Sequence, residues 1–232
     1  MMFGDAHLHY KGLCYEGIED AELLCVNAAE RSDWERIRDV PDTRLVRFYG
    51  VHPWYVEGWN DSVCDDLRSY LDADPKAGVG EIGLDHAKPE PILQAEAFTK
   101  QLMVASEYER CVSIHNVRSE GLIQRLLKIE GKNCRSVILH SFTGPIASIE
   151  SFRKLNAYFS VSPRLMLKSR ENAELILNRI PEERLLIETD APDIPGGFTD
   201  MMTFISDIAE IKGMEVRDLA QLTLRNLREA TQ

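Results

Sequence analysis

The feature that most constrains the fold of this chain is an alternation. Eight short apolar or β-branched runs recur along it: MFGDAHLH (2–9), ELLCVNA (22–28), RLVRFYGV (44–51), KAGVGEIG (76–83), CVSIH (111–115), RSVILH (135–140), AYFSVS (157–162) and RLLIET (184–189). Between them lie stretches with helical patterning. RSDWERIRDV opens with Ser32 and Glu35 at capping-box spacing, and SEGLIQRLLKIEG carries a stripe of Leu122, Ile123, Leu126 and Leu127 that stops at Gly131. Short apolar runs alternating with helices predict parallel strands covered on both faces. Eight such units predict an α/β protein, a (β/α)8 TIM barrel, with an extra helix at the C-terminal end. The competing architecture is an open doubly wound sheet, which usually carries a glycine-rich phosphate loop after its first strand; here that position holds HLHYKG. Only about a dozen residues separate His9 from the second run, too few for a full helix and its loops at 1.5 Å per residue. The first helix is therefore expected to be shortened or replaced by a loop.

Composition narrows the setting. A chain of 232 residues suits one barrel domain over residues 1–232. It has no apolar run of membrane-spanning length and no basic-then-apolar leader pattern, so neither a membrane span nor a secretory signal is expected. Five isolated cysteines without a CxxC pair point to reduced thiols and a cytoplasmic protein. The formal charge of −11 argues against broad adhesion to nucleic acid. Bound divalent cations would reverse the sign locally, so a phosphate substrate stays open.

Catalytic groups of such barrels lie at the C-terminal ends of the strands, and several of the eight runs end in a metal-binding residue. The first ends in His7 and His9, which would share a strand face with Asp5. The third leads into His52, the fourth carries Glu81, the fifth ends in His115, the sixth in His140, and the eighth runs into Asp190. Singly, each has an ordinary reading as a hydrogen-bonded rim residue. Together they converge on one rim, and Glu81 and Asp190 adjoin apolar runs where an unpartnered carboxylate is costly. Four histidines, one glutamate and one aspartate exceed the three protein ligands usual at a single catalytic zinc. They suit two cations about 3.5–4 Å apart with Glu81 as the bridge, an arrangement for hydrolysing a phosphate ester, amide or lactone. His and carboxylate donors accept zinc, manganese or magnesium.

The motifs DAHLH (5–9), GVHP (50–53), GEIGLD (80–85), SIHNVR (113–118), HSFTG (140–144), YFSVSP (158–163) and LLIETDAP (185–192) resemble, in order and over nearly the whole chain, those of the TatD family of metal-dependent deoxyribonucleases. LQAEAFTKQL (93–102) is similar to the family's helix bearing Gln94, Phe98 and Gln101. The resemblance implies that His7, His9, Glu81 and Asp190 hold one metal, and that Glu81, His115 and His140 hold the other. It implies that Asp190 also orients or deprotonates the attacking water, and that His52 and Arg118 contact phosphate. It implies a DNA substrate, often a single strand trimmed from its 3′ end. Two departures bear on substrate. HNVR has one residue more than the family's His-x-Arg, which displaces Arg118, and APDIPGGFTD (191–200) replaces a longer basic loop after Asp190. The missing loop and the shortened first helix would both open the rim, and fewer basic residues there, on a chain of charge −11, weaken the case for long DNA.

Three functions compete at this stage. The first is a two-metal phosphodiesterase acting on DNA. The second is an amidase, deacylase or lactonase of a small molecule at the same site; those relatives often bridge their metals with a carboxylated lysine, whereas GEIG supplies a glutamate. The third is a barrel that has lost catalysis, which predicts lost ligands, and all six are present. Trp54 and Trp59 follow GVHP near the rim and could stack bases, whereas Trp34 reads as packing. The stripe Phe98, Leu102, Ala105 reads as a helix face against the barrel.

Overall fold

The computed structural model describes residues 2–167, 169–194 and 200–232. Eight strands follow one another in a single parallel sheet: β1 (Phe3–His9), β2 (Ala21–Asn27), β3 (Leu45–Tyr49), β4 (Gly78–Asp85), β5 (Val112–Val117), β6 (Val137–Leu139), β7 (Ala157–Val161) and β8 (Leu185–Ile187). β8 returns to β1. Asp190 N–H donates to the His7 carbonyl at 3.0 Å and His9 N–H donates to the Ala191 carbonyl at 2.8 Å, so the sheet curls into a nearly closed TIM barrel. The helices are α1 (Trp34–Arg38), α2 (Asp61–Ala73), α3 (Pro91–Glu107), α4 (Glu120–Ile129), α5 (Ile149–Arg153), α6 (Arg170–Arg179), α7 (Met201–Lys212) and α8 (Val216–Thr231). Between β1 and β2 there are only two single-turn 3-10 segments, Tyr10–Gly12 and Ile18–Asp20, as the short spacing requires.

Side chains alternate across each strand. Cys25, Val46, Phe48, Ile138, Tyr158 and Leu186 fill the barrel interior, while their strand neighbours join the larger core beneath the helices. α8 is the extra C-terminal helix. Leu227 and Ala230 join the interior cluster, and Asn226 donates to the carbonyl of Leu185 at 2.9 Å, so α8 closes the end of the barrel where the strands begin. The opposite end, where the strands finish, is left for the site.

Two register shifts set which way the rim residues point. One lies in β1 between Asp5 and Leu8, the other in β4 between Val79 and Ile82. Each adds a residue and reverses the alternation locally. Within the first bulge Ala6 and His7 both face inward, as does His9 beyond it, while Asp5 is turned to the other side. Its carboxylate accepts from Thr189 N–H at 3.0 Å and Thr189 Oγ1 at 2.7 Å. The expectation that Asp5 shares a face with the two histidines is thereby corrected. The β4 bulge does the same for Glu81.

Two local expectations also change. The Ser32–Glu35 capping box does not form. The Asp33 carboxylate instead accepts from Ala29 and Glu30 N–H, and the reciprocal box runs between Glu30 and Asp33. On α4, Ile123 and Leu127 are buried but Leu122 is exposed. The stripe on α3 is buried as expected: Phe98, Leu102 and Ala105 all pack inward.

Candidate metal centre

Glu81 stands at the middle of the rim, 2% exposed, ringed by five imidazoles. Its Oε2 lies 3.3 Å from His7 Nε2 and 3.4 Å from His9 Nε2. Its Oε1 lies 3.0 Å from His115 Nδ1, 3.2 Å from His52 Nε2 and 3.4 Å from His140 Nε2. The two oxygens thus address two separate sets of nitrogens. Asp190 comes from the turn after β8, and its carboxylate groups with His7 and His140, their donor atoms within 4.8 Å of one another. Of the sequence-stated residues, His7, His9, His52, Glu81, His115, His140 and Asp190 are brought together. Arg118 is not among them: it is exposed, with φ of 53° in the turn after β5, and does not line the cavity.

Each imidazole is oriented by its second nitrogen, and that partner fixes where its proton sits. His9 Nδ1 meets the Asn27 carbonyl at 3.0 Å, so it must be the donor. His140 Nδ1 meets Glu188 Oε1 at 2.9 Å, and His115 Nε2 meets Asp85 Oδ2 at 3.3 Å. His7 Nδ1 lies 3.1 Å from Ser113 Oγ, and its buried Nε2 has no hydrogen-bond partner. His52 is the exception. Its Nδ1 accepts the Trp54 N–H at 3.1 Å, so its Nε2 carries the proton and donates. Four of the five rings can therefore aim a lone pair at the centre, and His52 aims a hydrogen.

The supports are built into the helices and strand ends. Gln101 on α3 accepts from Val51 N–H at 2.7 Å and donates back to the Val51 carbonyl at 3.1 Å, anchoring the turn that carries His52. Gln94 accepts from Asp85 N–H at 2.8 Å and donates to the Pro89 carbonyl at 2.7 Å. Gly83 allows β5 to come close, because a Cβ there would lie 2.0 Å from the His115 carbonyl oxygen. Arg164, from the turn after β7, pairs with Asp190 Oδ2 at 3.1 Å and donates to the Asp193 carbonyl at 2.7 Å.

Charge follows this geometry. Burial opposes ionisation of Glu81, but His52, His140 and His7 together hold it well below the usual carboxylate range. Burial pushes the pKa of His7 and His52 down. Burial also works against His140, yet Glu188 and Glu81 raise it to about 10. His115 is raised as well, with Asp85 and Glu81 outweighing burial. Burial lifts Asp5 to about 7.

Sequence reasoning missed Glu188, Asp85 and Arg164, and it put Asp5 on the wrong face of β1. Glu188 had a usable signal, standing two residues before Asp190 on the same side of an alternating strand. Asp85 closes GEIGLD with the inward phase of its strand end. Arg164 carried no such signal, since its position depends on the turn after β7. The shortened loop after Asp190 lies partly outside the described residues, at 195–199.

The donor set, one buried carboxylate between two groups of imidazoles beside a second carboxylate, fits divalent cations, and the barrel and site define a metal-dependent hydrolase. The chain matches the TatD related DNase family over residues 5–232 and belongs to it. It is 31% identical over 191 residues to the "Uncharacterized metal-dependent hydrolase YabD" of Bacillus subtilis, covering 77% of this chain and 75% of that protein. It is 29% identical over 178 residues to the "3'-5' ssDNA/RNA exonuclease TatD" of Dickeya dadantii, covering 75% of this chain and 64% of that one. The crystal structure of YJJV, a TATD homolog from Escherichia coli, superposes with a TM-score of 0.85 at 24% identity, covering 99% and 97% of the two chains.

Proposed function

We propose that this protein is a two-cation phosphodiesterase that trims DNA from the 3′ end. The observation that carries the reading is the division of Glu81: one oxygen faces His7 and His9, the other His115 and His140. His7, His9, Glu81 and Asp190 would hold one cation, and Glu81, His115 and His140 the other. When bound, the cations acidify water and neutralise charge on the scissile phosphate. Zinc, manganese and magnesium all suit these donors.

The chain's own residues divide the remaining work. With Oδ2 held by Arg164, Asp190 takes the proton of the attacking water on Oδ1 and orients that water. His52 donates Nε2–H to a non-bridging phosphate oxygen, because its Nδ1 is committed to Trp54. Glu188 and Asp85 hold His140 and His115 with their remaining nitrogens inward. Arg164 takes the phosphate-binding role first given to Arg118. Five free cysteines suit a reducing cytoplasm, and among the described residues no helix is long and apolar enough to cross a membrane. The reading assigns the activity to one domain spanning residues 1–232.

A second reading, hydrolysis of a small ester or amide, is favoured by one observation. The cavity over the site holds about 470 Å³ and is rimmed by Glu30, Asp33 and Asp193, a size and charge suited to a small ligand. The test is a gel assay with a 5′-labelled single-stranded oligonucleotide in Mg²⁺, Mn²⁺ and Zn²⁺, with Glu81→Ala in parallel. The phosphodiesterase reading expects a ladder shortening from the 3′ end that the variant does not give. Intact oligonucleotide in every metal, from folded and metal-loaded protein, would transfer the assignment to the small substrate.

A further inference from the structure

Among the described residues, ten large apolar side chains are conspicuously exposed, and three of them are aromatic: Tyr10, Trp54 and Tyr55. All three line the cavity above Glu81, and none of the seven aliphatic ones does. Chance exposure would scatter the aromatics as it scatters the aliphatics. Trp34 and Trp59, by contrast, are 0% and 8% exposed and serve packing, so Trp59 has no part in this.

Trp54 is held as a fixed surface. Its Nε1 donates to Asp85 Oδ2 at 2.7 Å, its backbone N–H donates to His52, and its ring stands edgewise to those of His52 and His115 at centroid distances of 5.1 and 6.1 Å. Yet half of the residue is open to solvent. An aromatic ring fixed in place loses little freedom when a partner stacks on it. Lys88 Nζ lies 3.9 Å from the ring centroid, and that side chain is exposed. A planar ring can displace the lysine, which is then free to meet a phosphate. Lys11 and Arg164 line other parts of the same cavity. The cavity thus offers a flat apolar wall and separate cations around one hydrolytic centre. That combination matches a nucleotide unit, a planar base joined to phosphate. The acidic rim at Glu30, Asp33 and Asp193 opposes a long polyanion and limits the ligand to a short end.

We propose that Trp54, with Tyr55 beside it, is the stacking wall for a nucleobase, so that the site takes the terminal units of a short single-stranded nucleic acid. This rests on the phosphodiesterase reading. The test is a tryptophan fluorescence titration of the full-length protein in Ca²⁺ with the thymidine dinucleotide dTpdT, checked by gel for intact ligand. A second titration uses an analogue in which both bases are replaced by hydrogen. Because Trp54 is the exposed tryptophan, the dinucleotide should quench emission and bind roughly tenfold more tightly than the analogue, within the range for one base–aromatic stack. The variants lack the reporting indole, so their affinities, with the wild type's for comparison, are read by titration calorimetry. Trp54→Phe should keep most of that preference. Trp54→Ala should bring the two ligands to equal affinity, and circular dichroism establishes that it is folded. Equal affinities in the wild type, or a preference that survives in Trp54→Ala, overturn the stacking wall. If oligonucleotides are cut but bases confer no preference, the wall fails alone; if dTpdT neither binds nor is cut, both readings fall.

Discussion

Replacing Gly83 by alanine tests how the site is held to shape. Gly83 has φ of 151° and sits opposite His115 in the β4–β5 ladder. A Cβ at this position would lie 2.0 Å from the His115 carbonyl oxygen, 2.8 Å from its carbonyl carbon and 2.9 Å from its amide nitrogen. All three are backbone atoms, so no side chain can swing away. The strands must part or Gly83 must change conformation. Backbone held in a region that L-residues avoid costs about 1–3 kcal/mol, and overpacking a tight contact costs about 1–3 kcal/mol more. The variant should therefore lose about 2–6 kcal/mol. For a chain of this size each kcal/mol shifts Tm by about 2–4 °C, so the middle of the range is a fall of about 8–15 °C by scanning calorimetry in EDTA. Gly121→Ala is the matched control, because nothing lies within 4 Å of a Cβ there. It should leave Tm unchanged or slightly raised by better helix propensity. A Gly83→Ala protein melting within 2 °C of wild type would refute the argument that this glycine sets the β4–β5 spacing.

Other perturbations reach the centre directly. Glu188→Gln keeps an acceptor for His140 Nδ1 but removes the buried charge, and should weaken divalent-metal affinity roughly 10- to 100-fold in a chelator competition; unchanged affinity would exclude Glu188 as the support of His140. Metal binding should also release protons at neutral pH. His140, raised to about 10, is charged in the metal-free protein and must lose that proton to offer Nε2. Apparent affinity should accordingly rise with pH from 7 toward 9, and calorimetry in buffers of different ionisation enthalpy should show net proton release; a binding heat independent of buffer would contradict this. In the metal-free protein the sign is reversed. The His140 contribution to stability is fully present below the ordinary histidine pKa of about 6.5 and is lost as pH rises through about 10. Arg164→Ala should raise KM several-fold more than it lowers kcat if Arg164 meets substrate phosphate; an effect on kcat alone would assign it to Asp190 instead.

Most of the barrel was legible because strands and helices differ in period and every strand announced itself as an apolar run. The short first connection followed from residue count alone. What escaped the sequence was phase. A bulge adds one residue without changing composition, so nothing in DAHLH shows that Asp5 and His7 lie on opposite sides, although strict alternation places them together. The Ser32–Glu35 box failed because the helical segment starts two residues earlier, where Glu30 and Asp33 cap each other's backbone N–H groups instead. At the site, the six expected ligands and His52 needed only strand-end positions to be found. The roles of the histidines needed more, because an imidazole is a donor or a ligand according to what its other nitrogen meets, and those partners come from β2, β4, β5, the residue after β8 and a backbone amide.

That distinction bears on how the centre divides its labour. His52 lies as close to Glu81 as the other rings do, and a count of nearby nitrogens would make it a ligand. Its Nδ1, however, is bound to the Trp54 amide hydrogen, which forces the proton onto Nε2. The same tryptophan's indole N–H is bound to Asp85, which orients His115 from the far side. Trp54 therefore couples three things: the tautomer of His52, the carboxylate behind His115, and an exposed ring at the mouth of the cavity. A base stacking on that ring would press on the residue that sets the proton on one histidine and shares the partner of another. Through these contacts, one residue's backbone amide, indole N–H and exposed ring tie the stacking surface to the set of the catalytic groups. Trp54→Phe keeps the ring and the backbone amide but deletes the indole donor. It should therefore preserve base preference while loosening Asp85, lowering kcat with little change in KM. A fall in base preference with kcat intact would show that ring and donor act independently.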